Sequence, residues 1–108
     1  MQTSGVLDAI KSCIISGRIY WTYHVNMRLN ERYIPRDVII ASVHTYEIIE
    51  TYLQDKYMPS YLIYAEHEGT VFHLLAALDT EINTVRIITV YRPSREKWNA
   101  DGKTRRDL

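Results

Sequence analysis

Apolar positions along the chain first recur at helical spacing. Val6, Leu7, Ile10, Cys13 and Ile14 fall on one stripe, Ser4 precedes them as a good N-cap and Gly17 follows as a stop. The pattern therefore predicts an amphipathic helix over residues 5–16. The run "RIYWT" then reads as a short extended piece. Thr22 is placed to cap a second helix that buries Val25 and Leu29 and ends at Tyr33, near Pro35. That proline suits the first turn of a third helix, from Pro35 to about Val43, with Val38, Ala41 and Ser42 facing inward.

From Tyr46 onward the period changes. "YEIIETYLQ", "SYLIYAE", "TVFHLLAALD" and "TVRIITVYR" are rich in isoleucine, valine and tyrosine, and turn-type breaks separate them. Four consecutive strands joined by short turns predict an antiparallel meander. Alternation in the third run puts Phe72, Leu74, Ala76 and Leu78 on one side and Val71, His73, Leu75 and Ala77 on the other. In the fourth it separates Val85, Ile87, Thr89 and Tyr91 from Arg86, Ile88, Val90 and Arg92. Both faces of these strands are fairly apolar, so helices must cover at least one of them. The expectation is a single α+β domain over residues 1–108, with N-terminal helices packed on a four-stranded antiparallel sheet. Residues 95–108 show no periodicity and read as a flexible basic tail with Trp98 as its anchor.

Composition narrows the class. A chain of 108 residues can bury a core without staples, and its lone Cys13 can form neither an internal disulfide nor a zinc site. No apolar run reaches the roughly 18 residues of a membrane span, and the N-terminus lacks the pattern of a signal peptide. A cytoplasmic location is the expectation. Net charge is zero, yet it is unevenly spread along the chain. Arg18, Arg28, Arg32 and Arg36 face only Glu31 in the first basic block. Arg86, Arg92, Arg95, Lys97, Lys103, Arg105 and Arg106 face only Glu96 and Asp101 in the second. The stretch between them is acidic. A fold that joined the two basic blocks would present a face attractive to a polyanion.

The sharpest chemical feature is "YHVNMRLNERYIP". It places His24, Arg28 and Arg32 at spacings of four, hence as neighbours along one helix face. Like charges so close repel unless an anion sits over them. Arginine forks grip the nonbridging oxygens of a phosphate, and an imidazole with an ordinary pKa of about 6.5 exchanges protons near neutrality. The combination suits cleavage of RNA by its own 2′-hydroxyl, a reaction that needs a base, an acid and cations but no metal. His73, if it faces the helix stripe, or Tyr91 supplies the second acid or base. Tyr91 and Arg92, with the Lys103, Arg105 and Arg106 tail, suit a nucleic-acid backbone, and Trp98 suits a stacked base. Arg86 belongs with this substrate-binding set. Glycine-rich phosphate loops, nucleophile elbows and metal-ligand spacings are all missing from the sequence, so no cofactor and no metal is expected.

These stretches, with "PSYLIYAEHEGTVFHLLAALD" and "VRIITVYRPSREKWNADGKTRR", resemble the bacterial family catalogued as domain of unknown function 4258 over nearly the whole chain. The family's threonine, histidine, arginines and isoleucine fall on Thr22, His24, Arg28, Arg32 and Ile34. Its later histidine falls on His73, its "TVY" strand on Thr89 to Tyr91, and its tryptophan and "KTRR" tail on Trp98 and Lys103 to Arg106. Pro35 departs from the serine or aspartate that relatives often carry there. The resemblance implies a RelE/MqsR-like or barnase-like fold and the toxin half of a toxin–antitoxin pair. The partners would then be messenger RNA and an antitoxin protein, which in some relatives is a zinc-finger, MqsA-like one. Two other readings stand beside it. One is a non-catalytic, ParE-like module whose arginine stripe pairs with an acidic partner protein, and the other is a domain kept only for assembly. The exposed last strand also offers an edge for a homodimer.

Overall fold

The computed structural model describes residues 3–22, 34–54 and 58–106. Helix α1 spans Thr3–Ser16 and a short strand β1 spans Ile19–Trp21. Helix α2 (Arg36–Ala41) and a 3₁₀ turn (Val43–Thr45) follow. Strands β2 (Glu47–Tyr52), β3 (Ser60–His67), β4 (Thr70–Asp79) and β5 (Thr84–Tyr91) complete the sheet. Among the described residues, no helix is long and apolar enough to cross a membrane.

The expected four-stranded antiparallel sheet is corrected to a five-stranded mixed one, in the order β1-β5-β4-β3-β2. The meander from β2 to β5 is antiparallel as expected, but "IYW" joins it as a fifth strand. It pairs in parallel with β5, Ile19 opposite Val85, Tyr20 opposite Arg86 and Trp21 opposite Ile87. Three residues carry too little pattern to announce a strand. What recruits them is the end of α1. Gly17, at φ +79, donates to the Ile14 carbonyl while Arg18 donates to that of Cys13, a Schellman ending that turns the chain sharply out of the helix. The Arg18 side chain then donates to the Asn83 carbonyl at 2.9 Å and its own carbonyl accepts from Val85, laying the chain along β5.

Helix α1 buries Val6, Ile10, Cys13 and Ile14 on one face of the sheet, against Ile63, Ala65, Phe72, Leu74, Val85, Ile87 and Val90. Each fully buried aliphatic side chain contributes about 1.5–3 kcal/mol. α2 adds Ile39, which is completely buried, whereas Ala41 is exposed; the inward face is therefore Val38, Ile39 and Ser42 rather than the expected Val38, Ala41 and Ser42. The helix is short, and its end is fixed by the Tyr46 hydroxyl donating to the Ile39 carbonyl at 2.7 Å.

Register shifts once between β4 and β5. His73 pairs with Tyr91 and Leu75 with Thr89, but Ala76 pairs with Ile87, which leaves Ile88 as the extra residue of a bulge. The bulge resets the alternation. Val90 joins Val85 and Ile87 in the core, and Thr89 and Tyr91 lie on the face of His73, opposite to the side strict alternation gives.

The second face is covered by the C-terminal segment, not by a helix. Residues 94–106 fold into a strap in which Trp98 bridges to Arg105 and is 3 % exposed. Asp101 ties the bend, its carboxylate accepting from the amides of Lys103 and Thr104 and from the Thr104 hydroxyl. Gly102 presses on the sheet at φ +71, where a Cβ would stand 3.0 Å from Val71 and 3.4 Å from Tyr64. Only glycine meets both demands without strain.

Candidate functional site

His73 stands in the middle of β4 with none of its surface exposed. Its Nε2 is 2.6 Å from the Gly102 carbonyl, which can only accept, so the ring hydrogen sits on Nε2. Nδ1 is then the acceptor for the Tyr91 hydroxyl at 3.3 Å. Trp98 and Tyr91 meet the ring edge-on, with centroids 4.5 and 5.3 Å away. Burial lowers the His73 pKa and so holds the imidazole neutral, while burial raises that of Tyr91. Both ring nitrogens are engaged and the strap closes over them. Neither nitrogen of His73, expected as a second catalytic acid or base, is free for a substrate, and the Tyr91 hydroxyl is engaged in the same network.

Three of the strap's cations are also engaged within the protein. Arg105 forks onto Glu50, Nε to Oε2 at 2.6 Å and Nη2 to Oε1 at 3.1 Å, and stacks over Trp98 at 4.6 Å. Glu50 also accepts from the Tyr52 hydroxyl. The hydrogen bonds from Arg105 hold the Glu50 carboxyl below its usual range. Lys103 pairs with Glu47 at 3.0 Å and sits 4.8 Å from the Tyr64 ring centre. Arg106 donates to the Arg95 carbonyl at 3.0 Å and is exposed. Of the residues expected to hold a nucleic-acid strand, Trp98 is thus buried, and Lys103 and Arg105 are paired with carboxylates of the protein itself. The acidic residues of β2 attract them, and that pairing between distant segments is invisible in a charge count along the chain.

Two expected binding residues remain outward. Arg86 is exposed on β5 and lies over the ring of Tyr20, 5.0 Å from its centre. Arg92, just past β5, is exposed and makes no hydrogen bond or ion pair with a described residue. It lines a cleft together with Ile34, Pro35, Val38, His67, Glu68, Thr70 and Phe72. His67 and Thr70 are cross-strand partners at the tip of the β3–β4 hairpin, whose turn residues Glu68 and Gly69 both have positive φ, +50 and +83. Sequence reasoning missed His67. It belongs to no motif, and only the hairpin register shows that it shares a cleft with Arg92.

His24, Arg28 and Arg32 lie outside the described residues. Their flanks do not. Thr22 donates from its amide to the Ile87 carbonyl at the end of β1, and Ile34 is buried in the wall of the Arg92 cleft. Trp21 on one flank and Arg36 on the other are in contact, the guanidinium 4.8 Å from the ring centre. The sequence stretch bearing the histidine and two arginines therefore leaves and rejoins the described fold at neighbouring points.

A family model described as Domain of unknown function (DUF4258) matches residues 21–92. The match runs from the last residue of β1 to the Arg92 of the cleft, and α1 and the strap fall outside it. No curated protein and no solved structure matches the chain. The chain belongs to the DUF4258 family.

Proposed function

We propose that this member of the DUF4258 family is a metal-independent endoribonuclease related to the RelE/MqsR-like toxins, acting on messenger RNA and silenced by an antitoxin protein. The observation that carries the reading is the placing of Arg92. It is an exposed guanidinium without a carboxylate partner among the described residues, in a cleft walled by Ile34 and Pro35, two and three residues after Arg32. A phosphodiester passing through its transition state gathers negative charge on its nonbridging oxygens, and fixed guanidinium groups stabilise that charge.

The reaction uses the substrate's own nucleophile. The 2′-oxygen forms a bond to phosphorus while the bond from phosphorus to the 5′-oxygen breaks. His24 takes the 2′-hydroxyl proton, the departing 5′-oxygen receives a proton from water, and the imidazolium returns its proton to the hydroxide so formed. Arg28, Arg32 and Arg92 neutralise the phosphorane-like charge between those events. His73 takes no part, because its ring is sealed beneath Gly102 and Trp98.

Purified protein incubated with single-stranded RNA in excess EDTA tests this. Cleavage should proceed at an undiminished rate and leave 2′,3′-cyclic phosphate and 5′-hydroxyl ends. Loss of cleavage on chelation refutes the mechanism. Growth arrest on expression with intact cellular RNA transfers the weight to a non-catalytic, ParE-like module.

A further inference from the structure

We propose that the cleft formed by His67, Thr70 and Arg92 is a phosphate subsite for one nucleotide of a bound RNA strand; the assignment rests on the reading of the protein as RNA-directed and adds its place of contact. Three observations bear on it. Three of the four polar groups in the lining, an imidazole, a hydroxyl and a guanidinium, can donate to phosphate oxygens, and they come from three different strands or strand ends. The register explains their meeting. His67 faces Thr70 across the hairpin, and the pairing of His73 with Tyr91 brings Arg92 alongside Phe72, on the face opposite the strap. The fourth polar group is Glu68, 3.7 Å from the His67 Nε2, and it stands on the exposed turn with 86 % of its side chain in solvent. Its carboxylate can swing away without breaking a packed contact, whereas Arg92 has no partner among the described residues to give up.

The remaining lining fits the rest of a nucleotide. Ile34 and Phe72 form a buried apolar floor, and Pro35 and Val38 stand more openly at the wall. A mixed cleft, cationic at one side and apolar at the other, accommodates a phosphate and the sugar or base attached to it. Lys103 and Arg105 of the strap are engaged by Glu47 and Glu50.

The test uses a fluorescein-labelled, single-stranded 2′-O-methyl oligoribonucleotide, which lacks the nucleophilic hydroxyl and survives the assay. Binding to wild-type protein, R92A, H67A and T70V is followed by fluorescence anisotropy over a range of salt concentrations at pH 7.5. Each altered side chain is at least partly exposed, and circular dichroism checks that the variants are folded. R92A should weaken binding about tenfold and lower the slope of log affinity against log salt by about 0.7, the signature of one lost phosphate contact on a single strand. H67A and T70V should each weaken it several-fold. Equal affinity and slope for wild type and R92A overturn the subsite, as does a wild-type protein that binds no oligonucleotide. Wild-type binding that depends on Arg92, with no cleavage of unmodified RNA, sinks the nuclease reading and leaves the subsite standing.

Discussion

Replacing His73 by alanine separates a structural histidine from a catalytic one. The side chain is fully buried, donates to the Gly102 carbonyl and packs edge-on against Trp98. Removing an aromatic-sized buried group costs about 3 kcal/mol for the transfer and the cavity. Stranding the Gly102 carbonyl adds about 1 kcal/mol more. The sum, about 4 kcal/mol, is a large share of the roughly 5–15 kcal/mol typical of a whole domain. At about 4–5 °C per kcal/mol the melting temperature should fall by about 15–20 °C. Thermal melts by circular dichroism measure this fall, and tryptophan fluorescence reports whether the strap over Trp98 loosens first. H67A, at a partly exposed position, is the control and should stay within about 0.5 kcal/mol of wild type. If His73→Ala melts within about 2 °C of wild type, the ring is not a structural pin. Simultaneous loss of RNA cleavage in that variant would return His73 to the chemistry.

Other consequences can be measured on the same material. Burial lowers the His73 pKa, so the unfolded chain, with an ordinary histidine pKa of about 6.5, takes up a proton that the native ring does not. The stability this ring contributes is present above about pH 6.5 and is lost as pH falls toward its native value; urea midpoints should drop across that window, and the drop should shrink in His73→Ala. Gly102→Ala places a Cβ 3.0 Å from Val71 at a positive φ and should cost about 1–3 kcal/mol by urea unfolding. A double-mutant cycle on Glu50→Gln and Arg105→Ala should give a coupling near about 1 kcal/mol, small because Arg105 is half exposed although the fork is bidentate.

Local patterns in the chain announced α1 and the four strands of the meander, and long-range pairings escaped it. The α1 stripe, its glycine stop and the four meander strands are local signals, and they stand where periodicity puts them, though α1 begins at Thr3 and so contains Ser4 instead of being capped by it. β1 escaped because a three-residue parallel edge strand depends on what Gly17 and Arg18 do at the end of the helix. The facing of Val90 escaped because a bulge at Ile88 is invisible to strict alternation. The strap escaped for a different reason. Its order comes from Glu47, Glu50 and His73, residues far away in sequence, and a segment without periodicity carries no record of such partners. The same blindness made His73 look available for chemistry and His67 look idle.

The proposed mechanism gives proton transfer to His24 and not to the sealed ring of His73 on β4. Single-turnover RNA cleavage rates of His24→Ala and His73→Ala, measured side by side at a temperature where both remain folded, discriminate between the two histidines. A loss of about 100-fold or more is expected for His24→Ala, and a rate within a few-fold of wild type for folded His73→Ala. A His24→Ala protein that cleaves at the wild-type rate, or a folded His73→Ala protein that does not cleave, would show that the proton is handled elsewhere.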